Sequence, residues 1–319
     1  MRAIRVHEFG DPEVLRLEEL PAPAPVEGEV LVRVQAAGVN PYETYVRAGD
    51  YRALPALPYT PGVDGAGVVA TAGAGVDVAA GSRVFVTDSL SGTYAEFALC
   101  RAEDVHPLPN TLSFAQGAAL GVPYATAYRT LFQRGKARRG ETLLVHGASG
   151  AVGLATVQFA LVAGMRVFGT AGSEAGRELV AAQGDVATLD HHDLAHLELG
   201  FDRTGGHGFD MIVELLANVN LGDDFTALAR NGRVMVVGNR GTVEVNPRDL
   251  MNVEGAALGV MASLADTEES AEAQAAIAAG VRDGRLRPVV GREMPLADAA
   301  RAHRHIMERP ALGRLVLVP

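Results

Sequence analysis

Apolar positions follow two different periods along the chain. Up to about residue 110 they alternate with polar ones in short runs. Glu29 to Ala36 alternates as a half-buried strand. Gly67-Val68-Val69, Ser82 to Val86 and Thr93 to Leu99 read as further short strands, separated by Gly, Pro, Asp and Ser. Pro21-Ala22-Pro23-Ala24-Pro25 is a stiff extended connector. From Ser113, a plausible N-cap, the period lengthens and an apolar helical stretch runs to about Phe132. Strands are then expected at 142–145, 166–170, 186–189, 209–214, 233–238 and 256–261, with helices between most of them. Such alternation implies a parallel sheet covered on both faces. After about 265 come an Ala/Glu-rich helix, an extended stretch from Pro288 to Glu293, a helix near Leu296 to Met307 and a strand from Arg314 to Val318. That last strand has no place in a six-strand sheet and is expected to return to the first domain. The fold class is α/β, a doubly wound parallel sheet beside a β-rich domain.

The segment Thr142 to Gly153 joins the apolar run Thr142-Leu143-Leu144-Val145 to the turn His146-Gly147-Ala148-Ser149-Gly150-Ala151-Val152-Gly153, which opens into a second apolar segment. This strand–turn–helix context gives an A-x-G-x-x-G fingerprint its meaning. Gly150 lets backbone approach a pyrophosphate, Gly153 lets the helix pack closely, and the helix N-terminus offers free N–H groups to phosphates. A dinucleotide site follows. An NAD site carries an acid at the end of the second strand, but here Arg166 to Thr170 runs into Ala171-Gly172-Ser173, with Glu174 one step beyond. Arg177 is close enough in sequence to face an adenosine 2′-phosphate, so NADP is favoured. A solvated helix position is the alternative for Arg177.

At 319 residues two domains are expected. A net charge of −10 argues against a nucleic-acid or anionic-membrane surface. Arg301, Arg304, Arg309 and Arg314 are interleaved with apolar residues and read as solvated edges. Cys100 is the only cysteine, which excludes an internal disulfide and a cysteine-based metal cluster and fits the cytoplasm. Met1 to Glu8 lacks the apolar core of a signal peptide. Thr142 to Met165 carries no charged residue, but its glycine turn leaves a helix too short to cross a bilayer. His191, His192 and His196 lack acidic or cysteine partners at ligand spacing, and His303 and His305 lie on different helix faces, where a surface role is expected. No metal is expected.

Gly38 to Gly49 resembles the zeta-crystallin and quinone oxidoreductase branch of the medium-chain dehydrogenase/reductase superfamily. So do Pro58 to Asp64, Ser91 to Glu96, Pro123 to Arg129, Val145 to Gly150, Leu216 to Asn220 and Gly238 to Thr242. The resemblance implies a GroES-like catalytic domain (1–122 and 265–319) around a Rossmann NADP-binding domain (123–264), NADPH as donor, quinones as acceptors, and a homodimer or homotetramer. It implies that Tyr45 contacts NADP near the active cleft, that Asn40 and Tyr51 line that cleft, and that Thr126 hydrogen-bonds the carboxamide. Ser149, Gly150, Ala151 and Val152 match the pyrophosphate turn. Gly172, Ser173 and His191 match adenosine-side positions. Asn220, Val237, Gly238, Asn239, Arg240, Val260, Met261 and Ala262 match loops at the carboxyl ends of later strands. Tyr45 or Tyr51 as a cap on a β-core, and Asn40 as a turn residue, remain open alternatives.

Zinc-dependent members need Cys, His-Glu and a four-cysteine lobe. Here Asn40 stands near the first ligand position, Val63-Asp64 replaces His-Glu, and the lobe is absent. Alcohol oxidation then loses its means of stabilising an alkoxide, whereas quinones accept electrons readily. Relatives often carry Lys after the Gly172 position. Glu174, Ala175 and Gly176 stand here, so Arg177 or another base must serve. Two other functions stay open. One is reduction of α,β-unsaturated ketones, with Tyr45 or Tyr51 as proton donor. The other is a non-catalytic NADPH-binding or RNA-binding role.

Overall fold

The computed structural model describes residues 1–309 and 312–319. They form two compact units. The first comprises Met1–Val122, Pro288–Arg309 and Gly313–Pro319; the second comprises Pro123–Arg287 together with Leu312.

In chain order the first unit contributes β1 (Arg2–Arg5), β2 (Arg16–Glu19), β3 (Glu29–Gly38), α1 (Pro41–Ala48), β4 (Gly65–Ala72), β5 (Arg83–Val86), β6 (Phe97–Arg101), β7 (Val105–Pro107) and α2 (Phe114–Gly117). There follow α3 (Gly121–Tyr128), β8 (Thr142–Val145), α4 (Ala151–Ala163), β9 (Arg166–Thr170), α5 (Glu174–Ala181), β10 (Val186–Leu189), α6 (His196–Arg203), β11 (Phe209–Glu214), α7 (Ala217–Ala227), β12 (Leu228–Val236), α8 (Pro247–Asn252), β13 (Ala256–Gly259) and α9 (Thr267–Arg282). The chain then returns to the first unit with β14 (Val290–Pro295), α10 (Ala299–Glu308) and β15 (Arg314–Val318).

The first unit holds a seven-stranded sheet in the order β14-β15-β3-β4-β5-β7, with β6 also paired to β3, and a separate β1-β2 ribbon. As expected, β15 joins this unit, running antiparallel to β3 through Val316↔Gly38 and Leu317↔Ala37. Val30, Val32 and Val34 of β3 meet Leu315 and Leu317 in the core. This packing satisfies the alternation in β3, since every second side chain of a strand faces one side.

In the second unit six parallel strands lie in the order β10-β9-β8-β11-β12-β13. Counting from β8, that order is 3-2-1-4-5-6, the doubly wound arrangement of dinucleotide-binding sheets. Leu144, Phe168, Ile212 and Val234 fill one layer of its core.

The expected boundary at 264 needs correction, because residues 265–287 belong to the second unit. Helix α9 is held there by an ion pair of Glu269 with Arg129 at 2.5 Å and by Gln133 Nε2 donating to the Glu269 carbonyl at 2.7 Å. Among the described residues no helix is long and apolar enough to cross a membrane.

Candidate functional site

Because all six strands of the second unit run parallel, their carboxyl ends share one edge of the sheet. The glycine turn leaves β8 at that edge. Ala148 N–H donates to the Thr170 carbonyl at 2.8 Å and Gly147 N–H to Thr170 Oγ1 at 3.1 Å, which ties the turn to β9. Gly147 has φ +59, a left-handed conformation. Gly150 is the N-cap of α4 with φ −79, so its glycine is not demanded by backbone strain. Gly153 has a different reason: a Cβ there would lie 2.6 Å from Ala148 Cα and from the Gly147 carbonyl oxygen. The first N–H groups of α4, at Ala151 and Val152, have no partner within the helix, the arrangement that suits an anion.

The residues expected on the adenosine side gather at the ends of β9 and β10. Ser173 caps α5, its Oγ accepting from Gly176 N–H at 3.1 Å. A Cβ on Gly172 would meet His191 Nε2 at 2.4 Å and His192 Nε2 at 2.5 Å. Arg177 is not free: its Nη1 donates to Asp190 Oδ2 at 2.7 Å and to the Ala171 carbonyl at 3.3 Å. The backbone N–H of His192 and the Arg177 guanidinium hold the Asp190 carboxyl below its ordinary range. Glu174 is exposed at the first position of α5.

The loops after β11, β12 and β13 complete the edge. Asn220 Nδ2 donates to Glu214 Oε2 at 3.0 Å. Arg240 N–H donates to Asn218 Oδ1 at 2.8 Å, and Asn239 Nδ2 to the Gly241 carbonyl at 2.6 Å. Val237 N–H donates to the Glu214 carbonyl at 2.9 Å, and a Cβ on Gly238 would lie 2.2 Å from the Leu215 carbonyl oxygen. Val260 N–H reaches the Val236 carbonyl at 2.9 Å, with Met261 exposed and Ala262 following. Thr126 lies buried in α3, its carbonyl accepting from Thr130 Oγ1 at 2.7 Å.

Beneath the turn lies a buried cluster that sequence reasoning missed. His146 Nε2 sits 2.8 Å from Asp224 Oδ1 and 3.9 Å from Glu214 Oε2. Glu214 also accepts the Leu216 N–H, so it fixes the start of α7, the helix in which Asn220 lies instead of the expected loop. Burial pushes Glu214 up to about 7 and Asp224 up to about 8, and it lowers His146. Burial thus favours the uncharged form of each of the three groups.

In the first unit α1 opens with a capping box. Asn40 N–H donates to Glu43 Oε2 at 2.9 Å, and Pro41 occupies the first turn. Asn40 is only 2% exposed and its amide is fully used. Nδ2 donates to Glu43 Oε1 at 3.2 Å and Asp64 Oδ2 at 3.0 Å, and Oδ1 accepts from Arg314 Nη1 at 2.7 Å. Arg314 Nη2 also donates to Asp64 Oδ2, while Asp64 Oδ1 takes the Val122 N–H at 2.8 Å. Tyr94 Oη donates to Glu43 Oε2 at 2.7 Å and meets His303 Nε2 at 3.2 Å. Burial raises Glu43 to about 7 and lowers His303 to about 3. Two surface expectations fail here. Arg314 is 3% exposed and His303 is 1% exposed, because each partners a buried group more than 200 residues away in sequence.

The geometry thus gives Asn40 the post of a bracket between Glu43, Asp64 and Arg314. Tyr51 packs its ring on Tyr42 at 5.7 Å between centroids. Tyr42 was not singled out in the sequence, although Tyr42 and Tyr45 are three apart and therefore share a face of α1. Burial and the negative charge of Glu43 raise the Tyr42 hydroxyl far above its ordinary range, so it stays protonated.

The parallel six-strand sheet, its glycine turn and the β-rich unit to which the chain returns define a dinucleotide-dependent dehydrogenase or reductase. The alcohol dehydrogenase GroES-like domain family matches residues 26–110, and the zinc-binding dehydrogenase family matches residues 182–317. The chain is 48% identical to a quinone oxidoreductase of Rattus norvegicus, across 100% of this chain and 98% of the rat protein. Among solved structures, an Escherichia coli quinone oxidoreductase complexed with NADPH is 28% identical with a TM-score of 0.89, covering 100% of both chains. An NAD-dependent alcohol dehydrogenase is 30% identical with a TM-score of 0.93, again over 100% of both chains. The chain belongs to the quinone oxidoreductase (zeta-crystallin) branch of the medium-chain dehydrogenase/reductase superfamily, and it is an oxidoreductase.

Proposed function

We propose that this protein is an NADPH:quinone oxidoreductase that works without zinc. The observation that carries the reading is the Arg314 guanidinium seated on Asp64 and Asn40. Those residues stand where the family's metal-dependent members place ligands. A zinc ion does not fit them: Asp64 Oδ2 is already shared by a cation and an amide N–H, Asn40 Oδ1 faces the Arg314 guanidinium, and Cys100 is buried in β6 with its Sγ 3.9 Å from the Ala98 carbonyl. Chemistry that needs no Lewis acid is therefore favoured over alcohol oxidation.

The residues at the carboxyl edge of the second unit fit NADPH. The α4 N-terminus suits the pyrophosphate, Gly172 lets two imidazoles pack against the chain at the end of β9, and Gly238 lets the chain pass Leu215 closely. Bound there, the nicotinamide supplies a hydride to the acceptor. In this reading Ser149, Gly150, Ala151 and Val152 hold the pyrophosphate. Thr126, Asn220 in the first turns of α7, and the loops at Val237–Arg240 and Val260–Ala262 orient the nicotinamide half. Tyr45 and Tyr51, with Tyr42 beside them, form the aromatic wall for the acceptor, and Asn40 holds α1 in place. Positioning supplies most of the catalysis when donor and acceptor are both reactive. The likeness to the rat quinone oxidoreductase, and the NADPH bound to the Escherichia coli quinone oxidoreductase, support the same reading.

NADPH oxidation followed against quinones, enones, aldehydes and alcohols tests it. Quinones are expected to be the fastest acceptors. Faster turnover of enones, abolished by Tyr45→Phe or Tyr51→Phe, would favour the enone reductase instead. NADPH binding without turnover of any acceptor would leave the non-catalytic role.

A further inference from the structure

We propose that Gln158 is a positioning residue for electron transfer from NADPH to the acceptor. Its one buried amide ties the place where the chain enters the second unit, and the place where it leaves, to the helix that carries the pyrophosphate turn. What is positioned rests on the functional reading above; the tie itself rests on hydrogen bonds within the second unit.

Leu312 aside, the second unit is one continuous stretch, so the chain enters it at Pro123 and leaves it at Arg287. Gln158 stands in the middle of α4 and is 5% exposed. Its Oε1 accepts from Tyr124 Oη at 2.8 Å, just after the entry, and from the Arg287 N–H at 2.9 Å, at the exit. Its Nε2 donates to the Arg287 carbonyl at 2.8 Å and to Gln183 Oε1 at 2.7 Å. An amide has two lone pairs and two N–H groups, and all are used. The orientation is fixed too. Turned over, the amide would set its N–H groups against the Arg287 N–H and its oxygen against the Arg287 carbonyl. Gln183 Nε2 is spent on the Leu179 carbonyl at 2.9 Å, which leaves the Gln183 oxygen to face Gln158.

Both tied segments are well seated. Tyr124 is 2% exposed, and its ring meets Phe159, the neighbour of Gln158, edge to face with centroids 5.9 Å apart. Before the exit, the buried Leu286 packs over Gly280 of α9, where a Cβ would lie 2.5 Å from Leu286 Cδ1. The Arg285 and Leu286 N–H groups both reach the Gly280 carbonyl, at 2.9 and 3.0 Å. The residue type also argues for a task beyond packing. Gly153 to Ala160 of α4 are buried, and Thr156 and Gln158 are the polar side chains among them. Thr156 Oγ1 is satisfied inside its own helix by the Val152 carbonyl at 2.8 Å. Gln158 reaches outside it. A buried amide is costly unless paired, and methionine would fill the space as well.

The tie matters because α4 is stiff. Gly150 to Gln158 spans eight rises of about 1.5 Å, about 12 Å of helix. One rod thus carries the pyrophosphate turn at its start and both chain crossings at its middle. The first unit bears α1 with Tyr42 and Tyr45, and Tyr51 just beyond, the wall assigned to the acceptor. Holding both crossings at one point of α4 turns two tethers into a single attachment. Misplacing donor and acceptor by about 1 Å can cost about a hundredfold in rate. Gln158 acts on that geometry only through Tyr124 and Arg287.

Three variants of the whole protein separate positioning from support. Gln158→Met unties both crossings, Tyr124→Phe unties only the entry, and Gln183→Ala breaks the bond to α5 while leaving both crossings tied. NADPH affinity is measured by calorimetry, and the single-turnover rate of NADPH oxidation with saturating p-benzoquinone. Amide exchange at Arg287 is followed in the free protein. In Gln158→Met the rate should fall about tenfold or more and Arg287 should exchange faster, with NADPH affinity within about twofold of wild type. Tyr124→Phe should lower the rate severalfold and leave Arg287 exchange unchanged. Gln183→Ala should match wild type throughout. Retained NADPH binding shows that a variant is folded, and if Gln158→Met does not fold, Tyr124→Phe decides alone. Wild-type rates in the folded crossing variants overturn the proposal. So does a loss of NADPH affinity in proportion to rate, or an equal loss in Gln183→Ala. The functional reading survives each of these results. A wild type that binds NADPH but oxidises it with no acceptor overturns both.

Discussion

Arg314→Met removes the cation from a fully buried polar bracket and keeps most of the side-chain volume. Arg314 and Asp64 have 3% and 0% of their side-chain surface exposed. The variant leaves the Asp64 carboxylate with two N–H donors, from Val122 and Asn40, and no countercharge, and Asn40 Oδ1 loses its donor as well. Breaking a buried pair by removing one partner costs about 3–5 kcal/mol. For a unit of this size that corresponds to a fall in Tm of roughly 10–15 °C. The loss must also depend on pH. Asp64, already raised by burial with Arg314 present, would be raised further without it. An acid whose folded pKa lies above its unfolded value stabilises less as pH rises between the two. The deficit of the variant should therefore grow by up to about 1.4 kcal/mol per pH unit until Asp64 ionises in the folded state. Urea denaturation of cofactor-free protein at pH 5.5 and 7.5 measures both effects. The double variant Asp64→Asn/Arg314→Met should recover at least half the loss at pH 7.5, because it removes the stranded charge. A single variant within about 1 kcal/mol of wild type, or a double variant no more stable than the single, would refute the claim that Arg314 serves as countercharge.

Gly153→Ala should destabilise the second unit by about 1–3 kcal/mol and weaken dinucleotide binding, since its Cβ has only 2.6 Å to Ala148 Cα; thermal melts with and without NADPH check this. Gly150→Asp should cost at least tenfold in NADPH affinity, about 1.4 kcal/mol, with the fold kept, because a carboxylate would face the pyrophosphate; unchanged calorimetric affinity would remove the turn from the site. Stability of the free protein should fall between pH 6.5 and 8.5 by on the order of 2 kcal/mol, because Glu43, Glu214 and Asp224 are raised to about 7, 7 and 8 and lose their protons there in the folded state. Unfolded carboxylates are fully ionised in that window, whereas unfolded histidines lose their remaining protons at its lower edge and offset part of the fall, so denaturation midpoints that stay flat or rise above pH 7.5 would mean these acids are not buried as described.

The nucleotide-binding sheet was legible because its evidence is local. Each parallel strand is a short apolar run, and β8, β9, β10 and β11 fall where the sequence places them. The glycine turn likewise lies within a dozen residues. The ribbon strands β1 and β2 escaped notice, since Arg2–Arg5 and Arg16–Glu19 are short and mostly polar. What stayed hidden depends on partners far off in sequence. Arg314 looks like an edge residue before an apolar strand until Asp64, 250 positions earlier, is brought beneath it. His303 meets Tyr94 across 209 positions, and α9 is claimed for the second unit by Arg129 across 140. Arg177 reads as a free base because nothing in the sequence announces that Asp190 will fold back onto it.

Metal-free transfer of electrons from NADPH to a quinone is open to direct measurement. The direct test is steady-state oxidation of NADPH by a simple benzoquinone, using protein dialysed exhaustively against a chelator and assayed for bound metal in the same preparation. The expected result is full activity in metal-depleted protein, unchanged when zinc is restored. Activity that disappears on chelation and returns with stoichiometric zinc would contradict the account, and so would a protein that oxidises alcohols while leaving quinones untouched.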